Sequence, residues 1–293
     1  MTDRKDTASN RAPGDPETTG HVWDGIEEFN NPLPRWWLWV FYLTIIWALG
    51  YTIAYPAWPL IERATPGLLG YSTRAEVAKD IAAVEARNAD LVARLEQVDL
   101  AAIADDPALS SFANQAGAAV FRTWCAQCHG AGAAGVQAAG YPNLRDDDWL
   151  WGGTLDDIVT TVRHGIRNED DPDARFSAMP AFGTILSEDE IAAVVQHVRA
   201  ISGQSADAAL AATGAEVFAN NCAVCHGAEG GGNPLLGAPA LNDAIWLYGG
   251  DVATLTETVT NARAGVMPAW SGRLAEAEVR AVASYVHGLG GGQ

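Results

Sequence analysis

The sequence Cys125-Ala126-Gln127-Cys128-His129 recurs as Cys222-Ala223-Val224-Cys225-His226, so the chain contains the CxxCH pattern twice. Cysteines three positions apart lie on one face of a helical turn, so both sulfurs can form thioethers with a single haem. The histidine that follows faces the same space and can take one axial position on the iron. The pattern therefore predicts two covalently bound haem c groups. The predicted attachment residues are Cys125, Cys128, Cys222 and Cys225, and the predicted axial ligands are His129 and His226.

Other roles of a CxxC pair fit this sequence less well. A zinc half-site needs further ligands at metal-binding spacing, and a thioredoxin-like pair needs no adjoining histidine. A disulfide would explain neither histidine. The chain has four cysteines, and all of them lie in the two motifs. Because haem is coupled to CxxCH outside the bacterial cytoplasm, the motifs also predict that the domains carrying them are periplasmic.

The sequence around the motifs is a tandem repeat. Several residues recur at the same distance from each motif: Gly117 and Gly214, Phe121 and Phe218, Pro142 and Pro239, Trp149 and Trp246. Each copy ends in an apolar helical stripe, at 191–201 and 279–289, and Ser187 with Glu190 forms a capping-box pattern before the first stripe. Neither copy shows strand alternation. The repeat predicts an all-α chain with two tandem haem-binding domains, 108–203 and 204–293.

The two methionines other than Met1 occupy matched positions in the repeats. Met179 and Met267 each open a Met-Pro-Ala-aromatic stretch. A lone methionine is usually a core residue, but duplication at matched positions favours iron ligation. A thioether favours Fe(II) and raises the reduction potential. We therefore predict Met179 and Met267 as the second axial ligands, and expect each to serve its own repeat, although an exchange between lobes would leave the sequence unchanged.

Residues near the predicted haems supply further candidates. Pro142 and Pro239 are placed where a backbone carbonyl can accept the ring N–H of the axial histidine. A set of aromatic residues either contacts the haems or forms ordinary core: Trp149, Trp151, Trp246 and Tyr248. Three histidines lack a histidine partner in the sister repeat and are expected at the surface: His164, His197 and His287.

Residues 36–61 contain no charged side chain and are long enough to cross a bilayer as a helix. Tryptophans crowd the start of the run, and Tyr55 and Trp58 lie near its end, where aromatic rings favour the membrane interfaces. A cleaved signal peptide would be shorter and would begin closer to the N-terminus. We predict a single uncleaved transmembrane helix in the bacterial inner membrane. The haem motifs then place the polar tail 1–35, whose early part is expected to be disordered, in the cytoplasm.

Residues 62–107 are predicted to form a linker and an amphipathic helix. Apolar residues recur there at helical spacing: Val77, Ile81, Val84, Leu91 and Leu95. Such a helix is expected to pack on the haem domains or on a partner.

The charge balance of the chain limits the kinds of partner that it can bind. The chain has 18 basic and 36 acidic residues, a net charge of −18, which excludes a nucleic-acid surface. A basic partner is favoured, although acidity also keeps an exported protein soluble. The first repeat carries an insertion, 167–178, that contains Glu169-Asp170-Asp171-Pro172-Asp173. This insertion makes the first haem our candidate for electron entry from a basic donor cytochrome c.

The stretch His21-Val22-Trp23-Asp24-Gly25-Ile26 and the run Asn30-Asn31-Pro32-Leu33-Pro34-Arg35-Trp36-Trp37 are similar to the membrane entry of one family. One anchor followed by two class I cytochrome c domains resembles the di-haem subunit of cbb3-type cytochrome c oxidases. The resemblance implies that electrons pass from a donor cytochrome c through both haems to a mono-haem subunit, and then to a catalytic subunit that reduces oxygen and pumps protons. It implies a non-catalytic electron-transfer subunit.

Two other functions share parts of this sequence pattern. A di-haem peroxidase needs an iron with an exchangeable position, whereas each haem here has a methionine candidate. A membrane-anchored di-haem carrier of another respiratory complex would share all of the haem chemistry. Only the N-terminal stretch argues against that carrier, and co-purification with an oxygen-reducing subunit would distinguish the two.

Overall fold

The computed structural model describes residues 14–24 and 26–292. The chain divides into two compact units, Met1–Glu85 and Ala86–Gln293, which are described separately. The predicted disorder of the early tail falls mainly on residues 1–13, outside the described residues.

The first unit begins with a β-hairpin that the sequence analysis did not predict. Strands β1 (Thr18–Trp23) and β2 (Ile26–Phe29) pair antiparallel, with Trp23 opposite Ile26. Asp24 in the connecting turn has a left-handed φ of 48°, which aspartate tolerates better than most residues. The hairpin lies in the part of the tail where aromatic and turn residues mix.

Helix α1 (Arg35–Ala54) confirms an apolar helix of membrane-spanning length. Its 20 residues extend about 30 Å, which matches the hydrocarbon thickness of a bilayer. None of its residues is buried by the described part of the chain. The helix ends at Ala54, before the predicted end at residue 61, because Pro56 disfavours helical geometry at Tyr55, which is extended (φ −113°, ψ 161°).

Helix α2 (Thr73–Gln97) confirms the predicted amphipathic helix. Its early apolar residues Val77, Ile81 and Val84 are exposed, whereas Leu95 near its end is fully buried in the core of the second unit. The helix therefore changes from a solvent-facing to a packed element along its length.

The second unit contains helices from both repeats. Those of the first repeat are α3 (Pro107–Val120), α4 (Ala126–His129), α5 (Leu155–His164) and α6 (Glu188–Ile201). Those of the second are α7 (Ala208–Asn221), α8 (Ala223–His226), α9 (Val252–Asn261) and α10 (Glu276–His287). A π-helical turn (Phe121–Cys125) joins α3 to α4, and short 3₁₀ turns lie at Leu100–Ile103, Gln137–Ala139 and Phe182–Thr184.

The sequence explains where these helices begin. The side chain of Asp106 accepts hydrogen bonds from the backbone N–H groups of Ala108 and Leu109, and Asp207 caps α7 in the same way. The capping box of Ser187 and Glu190 before α6 is confirmed, since both of its hydrogen bonds are present. At the matching position before α10, Ala275 has no hydroxyl, so only the bond from its N–H to the Glu278 carboxylate forms.

The last helix of each repeat packs on the first helix of the other repeat. Helix α10 packs on α3, and α6 packs on α7. A Cβ at Gly117 of α3 would lie 2.1 Å from the carbonyl oxygen of Ala281 in α10, and a Cβ at Gly214 of α7 would lie 2.0 Å from that of Ala193 in α6. Each pair of helices therefore crosses with its backbones in close contact.

This exchange produces two lobes that differ from the two sequence repeats. The first lobe comprises α3, α4 and α5 with the Met267–Trp270 segment and α10, and the second comprises α7, α8 and α9 with the Phe182–Thr184 turn and α6. The link 202–207 between α6 and α7 is short and is held by a hydrogen bond from Arg199 to the Ser205 carbonyl (2.7 Å). Helices joined by so short a link become antiparallel neighbours, which draws α6 into the second lobe.

Candidate haem-binding sites

The first lobe contains a cavity that brings together predicted ligands from both repeats. Cys125, Cys128 and His129 line it together with Met267. Its empty space is about 1270 Å³, including the open mouth. Most of the wall is apolar or aromatic. The residues present therefore fit a macrocycle attached at the two cysteines.

Both histidines that were predicted as axial ligands make the predicted hydrogen bond to a proline carbonyl. Nδ1 of His129 donates to the carbonyl oxygen of Pro142 (3.2 Å), and Nδ1 of His226 donates to that of Pro239 (2.9 Å). A carbonyl can only accept, so these bonds leave Nε2 free to bind a metal. Burial lowers the pKa of both imidazoles, partly offset by the proline bonds. Each ring is thus held neutral, which is the form that ligates iron.

The cysteine environment favours haem attachment over redox or zinc chemistry. Burial, with a smaller effect from the neighbouring cysteine, raises the pKa of Cys125 and of Cys222 to about 11. Redox-active and zinc-binding cysteines instead occupy sites that stabilise the thiolate and lower this pKa. An apolar wall of this kind suits a thioether.

The structure places Met267 with the CxxCH motif of the other repeat, contrary to the expectation that each methionine lies beside the motif of its own repeat. Met267 lies in the cavity of His129, although the two residues belong to different repeats. Its backbone exchanges two hydrogen bonds with Ile166 of the first repeat (2.9 and 3.0 Å), and Trp270 N–H donates to the Val162 carbonyl (3.1 Å). Because α10 packs on α3, the segment that precedes α10 and contains Met267 also lies in the first lobe.

The second site is built from matching parts. His226 is 8 % exposed, and Cys222 packs against the core formed by α6, α7 and α9. The Phe182–Thr184 turn, which follows Met179 closely, packs on α9, where a Cβ at Gly183 would lie 2.7 Å from the methyl group of Thr260. The segment after Met179 therefore lies in the second lobe, as the segment after Met267 lies in the first.

Two of the four aromatic candidates line the first cavity. Trp149 and Trp151 both contribute to its wall, and the Trp149 indole N–H donates to the Gly291 carbonyl. Trp246 packs in the second core, and Tyr248 lies under the guanidinium of Arg263 at 4.4 Å from the ring centroid. These two aromatic residues thus have structural contacts of their own.

Sequence reasoning missed several wall residues of the first cavity. The missed residues include two charged residues, Arg167 and Asp148, and Leu247 from the second repeat. Arg167 donates to the carbonyls of Ser177 (2.5 Å) and Gly265 (2.9 Å), and its left-handed φ of 52° reflects this tight turn. Burial, followed by repulsion from Asp243, raises the pKa of Asp148 to about 6. The position of Arg167 at the start of the insertion was the one available signal.

The three unmatched histidines are partly exposed, each with intermediate burial. His164 pairs with Asp171 in the insertion (3.1 Å), and the His197 ring packs against Phe218 with centroids 5.1 Å apart. The described wall of the first cavity includes none of the three.

Comparison with known proteins gives consistent matches along the chain. The family model for the N-terminal domain of the FixP protein of cytochrome oxidase cbb3 matches residues 15–62, and that for subunit III of cbb3-type cytochrome c oxidase matches 112–198 and 209–286. The chain is 63% identical over 283 residues to the cbb3-type cytochrome c oxidase subunit CcoP of Cereibacter sphaeroides, covering 96% of this chain and 97% of that protein. It is 58% identical over 288 residues to the CcoP subunit of Rhodobacter capsulatus (94% and 96% covered). It is 53% identical over 281 residues to the FixP subunit of Azorhizobium caulinodans (96% and 95% covered).

Proposed function

Since the chain belongs to the CcoP and FixP family, subunit III of cbb3-type cytochrome c oxidases, we propose that it receives electrons from a donor cytochrome c and passes them to the mono-haem and catalytic subunits of that oxidase. Two covalently bound haem c groups would carry the electrons. The observation that supports this function best is the convergence of Cys125, Cys128, His129 and Met267 on one apolar cavity.

The proposed iron ligands follow the exchanged lobes. We assign His129 and Met267 to the haem attached at Cys125 and Cys128, and His226 and Met179 to the haem attached at Cys222 and Cys225. The first assignment rests on the shared cavity, and the second on the matched position of Met179 and on the packing of the turn that follows it on α9.

The residues around the first cavity have distinct roles in this proposal. A bound haem c supplies a one-electron change between ferrous and ferric iron. Pro142 fixes the ring of His129 through its carbonyl, and Ile166 holds the Met267 backbone in place. Arg167 supplies a positive charge for a haem propionate. The apolar wall excludes water and disfavours the extra charge of the ferric state, which raises the reduction potential.

The chain is proposed to span the inner membrane once, through α1, with the haem lobes in the periplasm. The length and apolar surface of α1 support the span, and the extracytoplasmic coupling of haem to CxxCH supports the orientation. Membranes washed with concentrated salt should retain the full-length chain. N-terminal sequencing that began beyond residue 61 would contradict an uncleaved anchor.

Purification of the oxidase complex tests the proposed function. We expect the chain to co-purify with an oxygen-reducing subunit and to contain two haem c groups per chain by pyridine haemochrome analysis. The matched control is the double variant Cys222→Ala/Cys225→Ala, which should retain a single haem. Recovery of the chain with a different respiratory complex would refute the assignment.

A further inference from the structure

We propose that a basic donor cytochrome c docks on an exposed cleft beside the first lobe, and that the indole of Trp151 connects this cleft to the first haem cavity. The proposal rests on the proposed electron-transfer function. It names the docking surface and the entry route for that function.

The cleft and the haem cavity share a wall. Trp151 and Gly152 line both spaces, while Phe176 of the insertion and Leu235 of the second repeat line only the cleft. Phe176 is 77 % exposed and Leu235 is 89 % exposed. Large apolar side chains so exposed beside a cleft are typical of an interaction surface. Trp151 is thus the aromatic group between this surface and the cavity.

Trp151 is held in place from several sides. The guanidinium of Arg167 lies 5.6 Å from the centre of its ring, and Arg175 donates to its backbone carbonyl. On another side, Gly237 approaches so closely that a Cβ there would lie 2.2 Å from the indole. A fixed aromatic ring between surface and cavity gives an electron a short path that does not depend on side-chain rearrangement.

The charges around the cleft select the partner. The insertion has two arginines, and both are paired: Arg175, in the wall of the cleft, pairs with Asp157 (2.8 Å), and Arg167, in the wall of the cavity, donates to backbone carbonyls. The carboxylate of Asp171 is also paired, with the ring of His164. The exposed charges that remain in the insertion are acidic: Glu169, Asp170 and Asp173. An exposed acidic insertion that also carries the apolar side chain of Phe176 complements a cytochrome that has basic residues around an apolar haem edge.

The electron step is balanced without any further reactant. The ferrous donor would lose one electron and become ferric, and that electron would be taken up by the haem c that Cys125, Cys128, His129 and Met267 would hold. No bond forms or breaks, and no proton is required. Electrostatic attraction toward the acidic insertion suits a transient complex that forms quickly and dissociates after transfer.

The docking surface is tested in the purified oxidase complex with reduced mitochondrial cytochrome c as the basic donor. The variant is Phe176→Ser/Leu235→Ser, and the matched control is Ile185→Ser, which changes an apolar residue that is 58 % exposed in the second lobe. The bimolecular rate of electron transfer from the donor is measured by stopped flow. It is then normalised, by dividing it by the turnover rate of the same complex with the small donor tetramethyl-p-phenylenediamine. We expect the normalised bimolecular rate to fall by about tenfold in the double variant, as when central contact residues are removed, and to be unaffected in the control.

Three results are distinguishable. A normalised rate equal to wild type in the double variant overturns the docking surface while leaving the proposed function intact. Loss of the chain from the complex shows that the cleft contacts another oxidase subunit, and this also overturns it. Absence of turnover with the small donor in the wild-type complex contradicts the proposed function instead.

The route through Trp151 is tested with Trp151→Phe and Trp151→Leu. We expect the limiting transfer rate at saturating donor to fall in the leucine variant and to be partly restored in the phenylalanine variant. The donor concentration at half-saturation should change little, and spectroelectrochemistry should give an unaltered potential for the first haem. Equal limiting rates in all three proteins would eliminate Trp151 as the route.

The acidic residues of the insertion should make association with the donor depend on salt concentration. Neutralising Glu169, Asp170 and Asp173 together as amides should slow association severalfold at low ionic strength and have little effect at physiological salt, where charges are screened beyond about 8 Å. An unaltered low-salt rate would show that the donor does not approach along the insertion.

Discussion

The two lobes derive from one repeated sequence, yet their surroundings differ. Both retain a CxxCH motif and a proline carbonyl that orients the histidine. Only the first repeat has the insertion, which begins at Arg167, and it has an aspartate, Asp148, where the second repeat has Ile245. The comparison teaches that the haem attachment was conserved between the copies while the charged periphery diverged. This difference is the basis of our proposal that the first lobe receives electrons from the donor.

The exchange of helices makes the two lobes interdependent. Each core contains helices from both repeats, so neither repeat by itself holds a complete lobe. A ligand change in one repeat should therefore alter the haem that is attached in the other.

The largest expected effect comes from exchanging an axial ligand. Met267→His should lower the potential of the haem attached at Cys125 and Cys128 by a few tenths of a volt, within the roughly 0.8 V that axial ligands span. Met179→His should instead lower the potential of the haem attached at Cys222 and Cys225. The measurement is spectroelectrochemistry in a background that lacks the second haem, Cys222→Ala/Cys225→Ala. If Met179→His, rather than Met267→His, altered the remaining haem, the exchanged assignment would be wrong.

The next largest effect concerns the helix crossings. Gly117→Ala should destabilise the first lobe by about 3 kcal/mol or more, since the methyl group meets the Ala281 backbone and overpacking costs about 1–3 kcal/mol even where side chains can yield. Gly214→Ala should affect the second lobe similarly. Denaturant unfolding followed by Soret circular dichroism measures both changes. Gly272→Ala is the control, because its Cβ would meet open space, and equal stability of all variants would contradict the crossings.

The cavity carboxylate should make the lobes respond differently to pH. The pKa of Asp148 is raised, chiefly by burial, to about 6, so its carboxyl is neutral below this pH and anionic above it. The anion favours ferric iron, and the potential of the first haem should fall as pH rises through about 6, by at most about 59 mV per pH unit for a one-electron step. The second repeat has Ile245 at the position of this carboxylate, so the potential of the second haem should vary less with pH. Redox titrations from pH 5 to 8 should show the dependence disappear in Asp148→Asn; its persistence would mean another group is responsible.

The smallest effect concerns the helix caps. Ser187→Ala removes the capping hydroxyl of α6 and should destabilise the second lobe by about 1 kcal/mol. Ala275→Ser completes the capping box of α10 and should stabilise the first lobe by a similar or smaller amount. Thermal unfolding of the two variants gives shifts of opposite sign. Shifts of the same sign would show that the two helix starts are not equivalent.

Local sequence determines much of this protein. A CxxCH motif places its sulfurs and imidazole through one helical turn, so haem attachment follows from five adjacent residues. The capping box before α6 spans four residues, and the uncharged run that becomes α1 needs no partner within the chain to form a helix. The proline acceptors were also predictable, because their position relative to each motif is the same in both copies.

Tertiary structure alone decided which residues share a cavity. Because the repeats are matched position by position, Met179 and Met267 fit either lobe equally well, and the apolar stripes of α6 and α10 can cover either first helix. The short 202–207 link resolves this ambiguity by making α6 a neighbour of α7, which leaves α10 for α3 and brings Met267 to His129. The placement of Arg167, Leu247 and Trp151 depends on the same long-range packing. Periodicity reports which face of a helix is apolar, but not which of two equivalent partners covers it.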